Sequence, residues 1–205
     1  MAAASSPPGQ IILLNGTPRS GKSSIATVIQ ERFDGVWINL GVDHYMAMTP
    51  ARYQPGIGLR PGGERPDLEP LIVQMYQALY ESIAAHSRLG LHVVADLDHH
   101  DSYSVPRGIL PACARRLAGL PVLFVGVRCA LDVIMARRRA TGWNTETDQI
   151  PAPVLRWQDA VHTPGIYDLE LDTAILSPEA CADRIAQHLA GGPPPTALQQ
   201  LMTIA

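Results

Sequence analysis

The stretch Gln10–Ile25, QIILLNGTPRSGKSSI, decides the fold. Its first part, Gln10–Asn15 (QIILLN), is a short apolar run ending in a Gly/Ser-rich turn, the pattern of a buried strand. The second part, Gly16-Thr17-Pro18-Arg19-Ser20-Gly21-Lys22-Ser23, fits G-x-x-x-x-G-K-[ST] at every fixed position. It follows a strand and opens a helix, which is the context that motif needs. The glycines let the backbone curl until its N–H groups face an anion, and the helix N-terminus adds positive potential. Lys22 would bridge the β- and γ-phosphates of a nucleotide, and Ser23 would hold magnesium. Of the sixteen basic residues only Lys22 is a lysine, and it falls inside this motif. A compact ammonium reaches between phosphates where a guanidinium fork does not.

On either side of this motif, strands and helices alternate. Residues from Lys22 to Phe33 show helical spacing, with Ile25, Val28 and Ile29 on one side. Val36–Leu40, Leu91–Asp96, Pro121–Val127 and the edge segment Asp168–Asp172 read as strands. Leu68–Arg88, Ile109–Ala118, Ala130–Ala140, Pro153–His162 and Pro178–Leu189 read as helices. Thr49–Pro66 is rich in Pro and Gly and reads as a flexible lid or an irregular excursion, and Thr141–Gln149 as a polar loop. This order predicts an α/β fold, a three-layer P-loop nucleoside-kinase-like architecture with a central parallel sheet covered on both faces. Ligands of such sheets sit at the carboxyl ends of the strands. Residues 1–190 form a single domain in this reading, and 191–205, which opens GPPPT after Gly191, is a detachable Pro-rich tail with a weak terminal helix.

Composition narrows the function. The chain has 205 residues, 46% of them hydrophobic and 5% aromatic, which suits an aliphatic α/β interior rather than a disordered chain. A formal net charge of −3 gives no basic footprint for nucleic acid. No apolar run approaches the roughly 18 residues of a membrane span. The opening MAAASSPPGQ lacks the basic and apolar regions of a secretory signal, so the expected location is the cytosol. Cys113, Cys129 and Cys181 are odd in number and widely spaced, and read as small core residues.

Other residues converge on the phosphate motif. Asp43, in Gly41-Val42-Asp43 after the second strand, reads either as a base for an incoming hydroxyl or as the N-cap of a short helix. Asp96 ends the strand LHVVAD as a second acidic motif would, and reads as a magnesium ligand, the alternative being a turn residue. Asp98, His99, His100 and Asp101 follow, with poor spacing for a transition metal, and read as a solvated loop that touches substrate. Arg137, Arg138 and Arg139 close a helix where cations would clamp a transferring phosphoryl, or would simply complement the helix dipole. Arg128, ending the strand VGVR, is expected at the same crevice.

These segments together, with Val125-Gly126-Val127-Arg128-Cys129, Tyr167-Asp168 and Asp172-Thr173, resemble the chloramphenicol phosphotransferase-like family from about Gln10 to Leu189. The resemblance implies an ATP-dependent kinase of small molecules, with ATP and Mg2+ as cofactors, Asp43 as catalytic base and Gly16 to Ser24 on the phosphates. It differs from the family where Ala95-Asp96 stands for an Asp-Asp pair, and where Thr49–Pro66 and His99-His100-Asp101 depart from the antibiotic-phosphorylating pattern. The expected partner is a hydroxylated small molecule, with self-association into a homo-oligomer left open. The alternatives are a nucleotide-binding switch without an acceptor, which would have no use for Asp43, and another P-loop metabolite kinase.

Overall fold

The computed structural model describes residues 7–142 and 149–204. Its sheet contains β1 (Ile11–Asn15), β2 (Trp37–Asn39), β3 (His92–Leu97), β4 (Val122–Arg128) and β5 (Leu169–Asp172). All neighbours are parallel, in the order β2-β3-β1-β4-β5. β1 is central and buried along its whole length, as an apolar run without alternation requires. Its register sets Leu14 beside Asp96 of β3 and Asn15 beside Gly126 of β4, so three strand ends meet where the phosphate motif begins.

The alternation of side chains along each strand divides the core into two layers. Ile12 and Leu14, with Val94, Leu123 and Val125, pack on α1 (Lys22–Arg32) and α7 (Pro178–Gly191). Ile11 and Leu13, with Val93, Ala95 and Phe124, pack on α3 (Glu69–Arg88), α4 (Ile109–Arg116) and α8 (Ala197–Met202). The predicted three-layer α/β architecture is the one found. A smaller cluster at the β4 side joins Cys129 to Ile134 of α5 (Leu131–Ala140) and Val154 of α6 (Ala152–Ala160). All three cysteines are free and buried, as their apolar settings suggest.

Two segments need comment. Thr49–Pro66 is an irregular excursion: two 3-10 turns, Ala51–Tyr53 and Gly56–Gly58, with Ile57 and Leu59 buried in the core. It follows the short α2 (Val42–Ala47), and Gln54 donates to the Met46 and Thr49 carbonyls, tying the two together. The segment after Gly191 is not a detachable extension. Ala197, Leu198 and Leu201 are buried against the α3–α4 layer, each leucine contributing roughly 1.5–3 kcal/mol. The Asp168 carboxylate caps α8 from a distance, accepting from the Thr196 and Ala197 amides at 2.7 and 2.8 Å and from Phe124 N at 2.9 Å. The polar loop expected over Thr141–Gln149 lies mostly outside the described residues. Among the described residues no helix is long and apolar enough to cross a membrane.

Candidate active site

The carboxyl ends of the strands open into a cavity of about 1010 Å³. The loop after β1 forms one wall. Arg19 and Gly21 hold φ of 72° and 96°, left-handed values that turn the chain into α1. For a non-glycine such as Arg19 this costs about 1–2 kcal/mol, so the loop's curl is enforced by its surroundings. Gly16 is needed for close approach, since a Cβ there would lie 2.3 Å from the Val127 carbonyl oxygen. Lys22 is buried, and its ammonium donates to the Gly16 and Thr17 carbonyls at 2.8 and 2.9 Å. Burial holds its pKa below the ordinary value, opposed by the negative charges of Asp98, Asp96 and Asp43.

Ser23 Oγ donates to Asp96 Oδ2 at 2.6 Å, so a hydroxyl and a carboxylate already stand together beside the phosphate loop. Thr17 Oγ1 and Ser20 Oγ are buried in the loop without a protein partner. A curled loop with orphaned hydroxyls, a buried ammonium and a Ser–Asp pair fits a nucleotide's phosphates and one magnesium ion. Among the described residues no cluster of three or more His, Cys, Asp and Glu could hold a metal without such a ligand.

Asp43 also lines the cavity, exposed, in the first turn of α2. Gly41 is the N-cap of that helix and no side chain caps it, so Asp43 does not serve as the cap. The end of α5 supplies Arg137, which donates to the Thr173 carbonyl at 2.7 Å, to Thr173 Oγ1 at 3.2 Å and to the Arg19 carbonyl at 3.2 Å. Arg138 lines the cavity as well, whereas Arg139 does not and is exposed. Pro18, Arg19, Gly21, Lys22, Ser23, Ser24, Asp43, Asp96 and Arg137 thus share one chamber. Arg128 does not join them: it is exposed and pairs with Glu170 on the neighbouring strand, because β5 offers a carboxylate beside it.

The family profile of chloramphenicol phosphotransferase-like proteins matches residues 9–190. The chain belongs to that family. Two Mycobacterium tuberculosis proteins, from strains CDC 1551 / Oshkosh and ATCC 25618 / H37Rv, are provisionally named O-phosphotransferases. Each is 27% identical over 220 residues, which cover 98% of this chain and 91% of the relative. Among solved structures, shikimate kinase from Acinetobacter baumannii, in complex with shikimate, superposes with a TM-score of 0.58 at 13% identity. The match covers 91% of this chain and 94% of that one. A sugar kinase from Janibacter sp. HTCC2649 gives 0.58 at 19% identity, covering 89% and 95%. These likenesses show a P-loop kinase fold. Family and fold together make the protein a phosphotransferase of the P-loop kinase type.

In this chloramphenicol phosphotransferase-like chain, some residues that the sequence named without a role, or as loop, have defined partners at the site. Thr173, after β5, donates to the Ser20 carbonyl at 2.5 Å while accepting from Arg137, and so locks the phosphate loop to α5. Asp98, His99 and His100 are buried rather than part of a solvated loop. His100 Nε2–H donates to the Leu59 carbonyl at 2.9 Å, and its Nδ1 accepts from Ser102 N at 3.2 Å. His99 stacks on Tyr76 and hydrogen-bonds Tyr80 at 2.8 Å, and its amide donates to Asn15 Oδ1 at 2.8 Å. Burial, then the neighbouring His100, pulls the His99 pKa down to about 3, so its ring is neutral. Asp98 lines the cavity, and Tyr76 OH donates to its Oδ1 at 3.1 Å. Burial pushes its carboxyl up to about 6, against the pull of Lys22 and Tyr76. The sequence placed Asp98 near substrate through its position just beyond Asp96, but as part of a solvated loop rather than as a buried, anchored carboxylate.

Proposed function

We propose that this protein moves the γ-phosphoryl group of ATP, bound with magnesium, onto a hydroxyl of a small molecule, and that Asp43 is the general base. One observation supports the reading: Asp43 lines the same chamber as Lys22 and the Ser23–Asp96 pair. In such a reaction the acceptor oxygen forms a bond to the γ-phosphorus while the bond to the bridging oxygen of the diphosphate breaks. The hydroxyl proton passes to the Asp43 carboxylate, whose exposed position in the first turn of α2 leaves it free to receive one. Magnesium, held at Ser23 and Asp96, would neutralise charge on the phosphate oxygens. Lys22 supplies a second positive charge, and the three carboxylates around it favour its charged form despite burial. Arg137, fixed by Thr173, places a guanidinium on the phosphate-loop side, where cations stabilise charge spread over the transferred group. Chloramphenicol-like antibiotics and related hydroxylated metabolites are the acceptor class, and the cytosol, where ATP is abundant, is the fitting location.

The Asp43→Asn variant tests this reading. Asparagine keeps the size and removes the basic carboxylate, so transfer to an acceptor found by ATP-consumption screening should fall by about 10²–10⁴. Nucleotide affinity, read by calorimetry, should change little. Transfer that survives the substitution would remove Asp43 from the chemistry. ATP hydrolysis indifferent to every acceptor would favour a nucleotide switch instead.

A further inference from the structure

One group in the chamber supports Lys22 by its charge but is given no contact with substrate in the mechanism above. Asp98 is 8% exposed, yet it lines the cavity. Its Oδ1 is anchored by Tyr76, so its second oxygen is the one left for the cavity. The support beneath it is elaborate. Tyr76 and Tyr80, one helical turn apart on α3, are both buried, and His99 stacks on the first and hydrogen-bonds the second. Asn15, at the end of β1, grips the same turn through the His99 amide. Burying such polar groups is costly, and His99 Nδ1 stays without a protein partner, yet Tyr76 holds one carboxylate at one place.

Where that place lies matters more. Asp96 turns to the α1 face of the sheet, toward Ser23 and the phosphate loop. Asp98, two residues on, is held from the α3 side by Tyr76, with the Lys22 ammonium also near it. The Thr49–Pro66 excursion packs on that same layer, with Ile57 and Leu59 beside Ile72 and Tyr76. The same cavity is lined by the apolar Val42, Met46, Pro55, Val154 and Trp157 as well as by Asp43 and Arg60. An anchored carboxylate among apolar lining residues is an arrangement that orients a small molecule.

We infer that Asp98 is the acceptor-recognition carboxylate, accepting a hydrogen bond from a second O–H or N–H donor on the molecule being phosphorylated. This rests on the kinase reading above and narrows it: the acceptor is a polyol or an amino alcohol, not a simple alcohol. Asp43 takes the reacting hydroxyl, and Asp98 fixes the rest of the molecule relative to it.

The test uses the full chain with ATP and magnesium. Hexoses and cyclitols are assayed beside their single-deoxy analogues, and aminocyclitols beside their desamino analogues. Removing the second donor should raise the acceptor KM by about 10- to 100-fold in the natural protein, as expected for a lost bond to a charged group. In Asp98→Asn the parent compounds should lose that advantage, closing the gap within each pair, and this selective change should exceed any shift in the KM for ATP that follows from the lost charge near Lys22. Tyr76→Phe keeps the ring on His99 and removes the anchoring hydroxyl, so it should narrow the gap in the same direction. The series in which the gap closes, deoxy or desamino, identifies the donor as O–H or N–H. Acceptor-dependent transfer with no preference for a second donor would overturn the inference and leave the kinase reading standing. An Asp98→Asn variant altered chiefly in ATP or magnesium dependence would do the same. ATP hydrolysis independent of all the compounds would overturn both.

Discussion

Glycine 41 shows how closely single residues are fitted at the site. A Cβ at Gly41 would fall 1.5 Å from Asp96 Oδ1, so the start of α2 rests directly on the carboxylate bonded to Ser23. The backbone there is ordinary, with φ of −112°, and alanine meets no conformational penalty. Gly41→Ala should therefore fold, with a melting temperature within a few degrees of the natural protein. It should displace Asp96 and raise the magnesium concentration needed for half-maximal transfer by about 10-fold or more, the usual result of disturbing a ligand's supporting contacts. A magnesium titration of activity, set beside a thermal melt, checks both halves. The same scale explains what the sequence could show of the site. Lys22 and Ser23 stood out because the loop that carries them is contiguous in sequence. Asp98 and Thr173 were named, but their bonds were not legible, because each is made to a distant partner, Tyr76 at 22 residues' separation and Ser20 at 153.

At the scale of elements, the strands were legible as apolar runs because β1, β3 and β4 are buried on both faces and cannot be mistaken for half-exposed ones. The terminal helix was anticipated, but its docking was not legible, for the opposite reason. Six residues after a proline tract carry little intrinsic helix stability, and α8 exists because Leu198 and Leu201 find the α3–α4 layer and Asp168 satisfies its first amides. Asp168→Ala leaves three backbone donors, those of Phe124, Thr196 and Ala197, without their acceptor. The expected loss is about 2–4 kcal/mol in urea unfolding. Because Asp168 stands just before β5, at the end of the sheet away from the cavity, kcat per folded molecule should not change. A large fall in kcat with unchanged unfolding would show that the end of the sheet bearing α8 communicates with the site.

At the scale of the whole molecule, the buried histidine gives stability a definite response to acid. In the unfolded chain His99 regains a pKa of about 6.5, while the folded ring stays neutral down to about 3. Between those values the unfolded state binds a proton that the native state refuses. Stability should therefore fall with pH across this window, by about 1.4 kcal/mol per pH unit from this residue. Asp98 acts in the other direction: its carboxyl, pushed up to about 6, is protonated first in the fold, so lowering pH through that value relieves a cost. Glu69, held below the ordinary carboxylate range by Ser104 and Arg107 against its own burial, contributes stability that is lost only under more acid conditions. Comparing the natural protein with His99→Gln isolates the histidine: the slope of unfolding free energy between pH 6.5 and 4.5 should flatten by about 1.4 kcal/mol per unit. Parallel slopes would mean that His99 is protonated in the folded protein. The clamp made by Thr173 has a consequence for how such a molecule meets its substrate. An arginine carries about 2 kcal/mol of rotamer entropy, and Arg137 gives that freedom up during folding, through bonds to Thr173 and the Arg19 carbonyl. On the proposed function Lys22 differs, since it would exchange the Gly16 and Thr17 carbonyls for an arriving nucleotide. One cation would then be preorganised and the other a reporter of occupancy, so between the empty and loaded protein the lysine should move while the arginine stays in place.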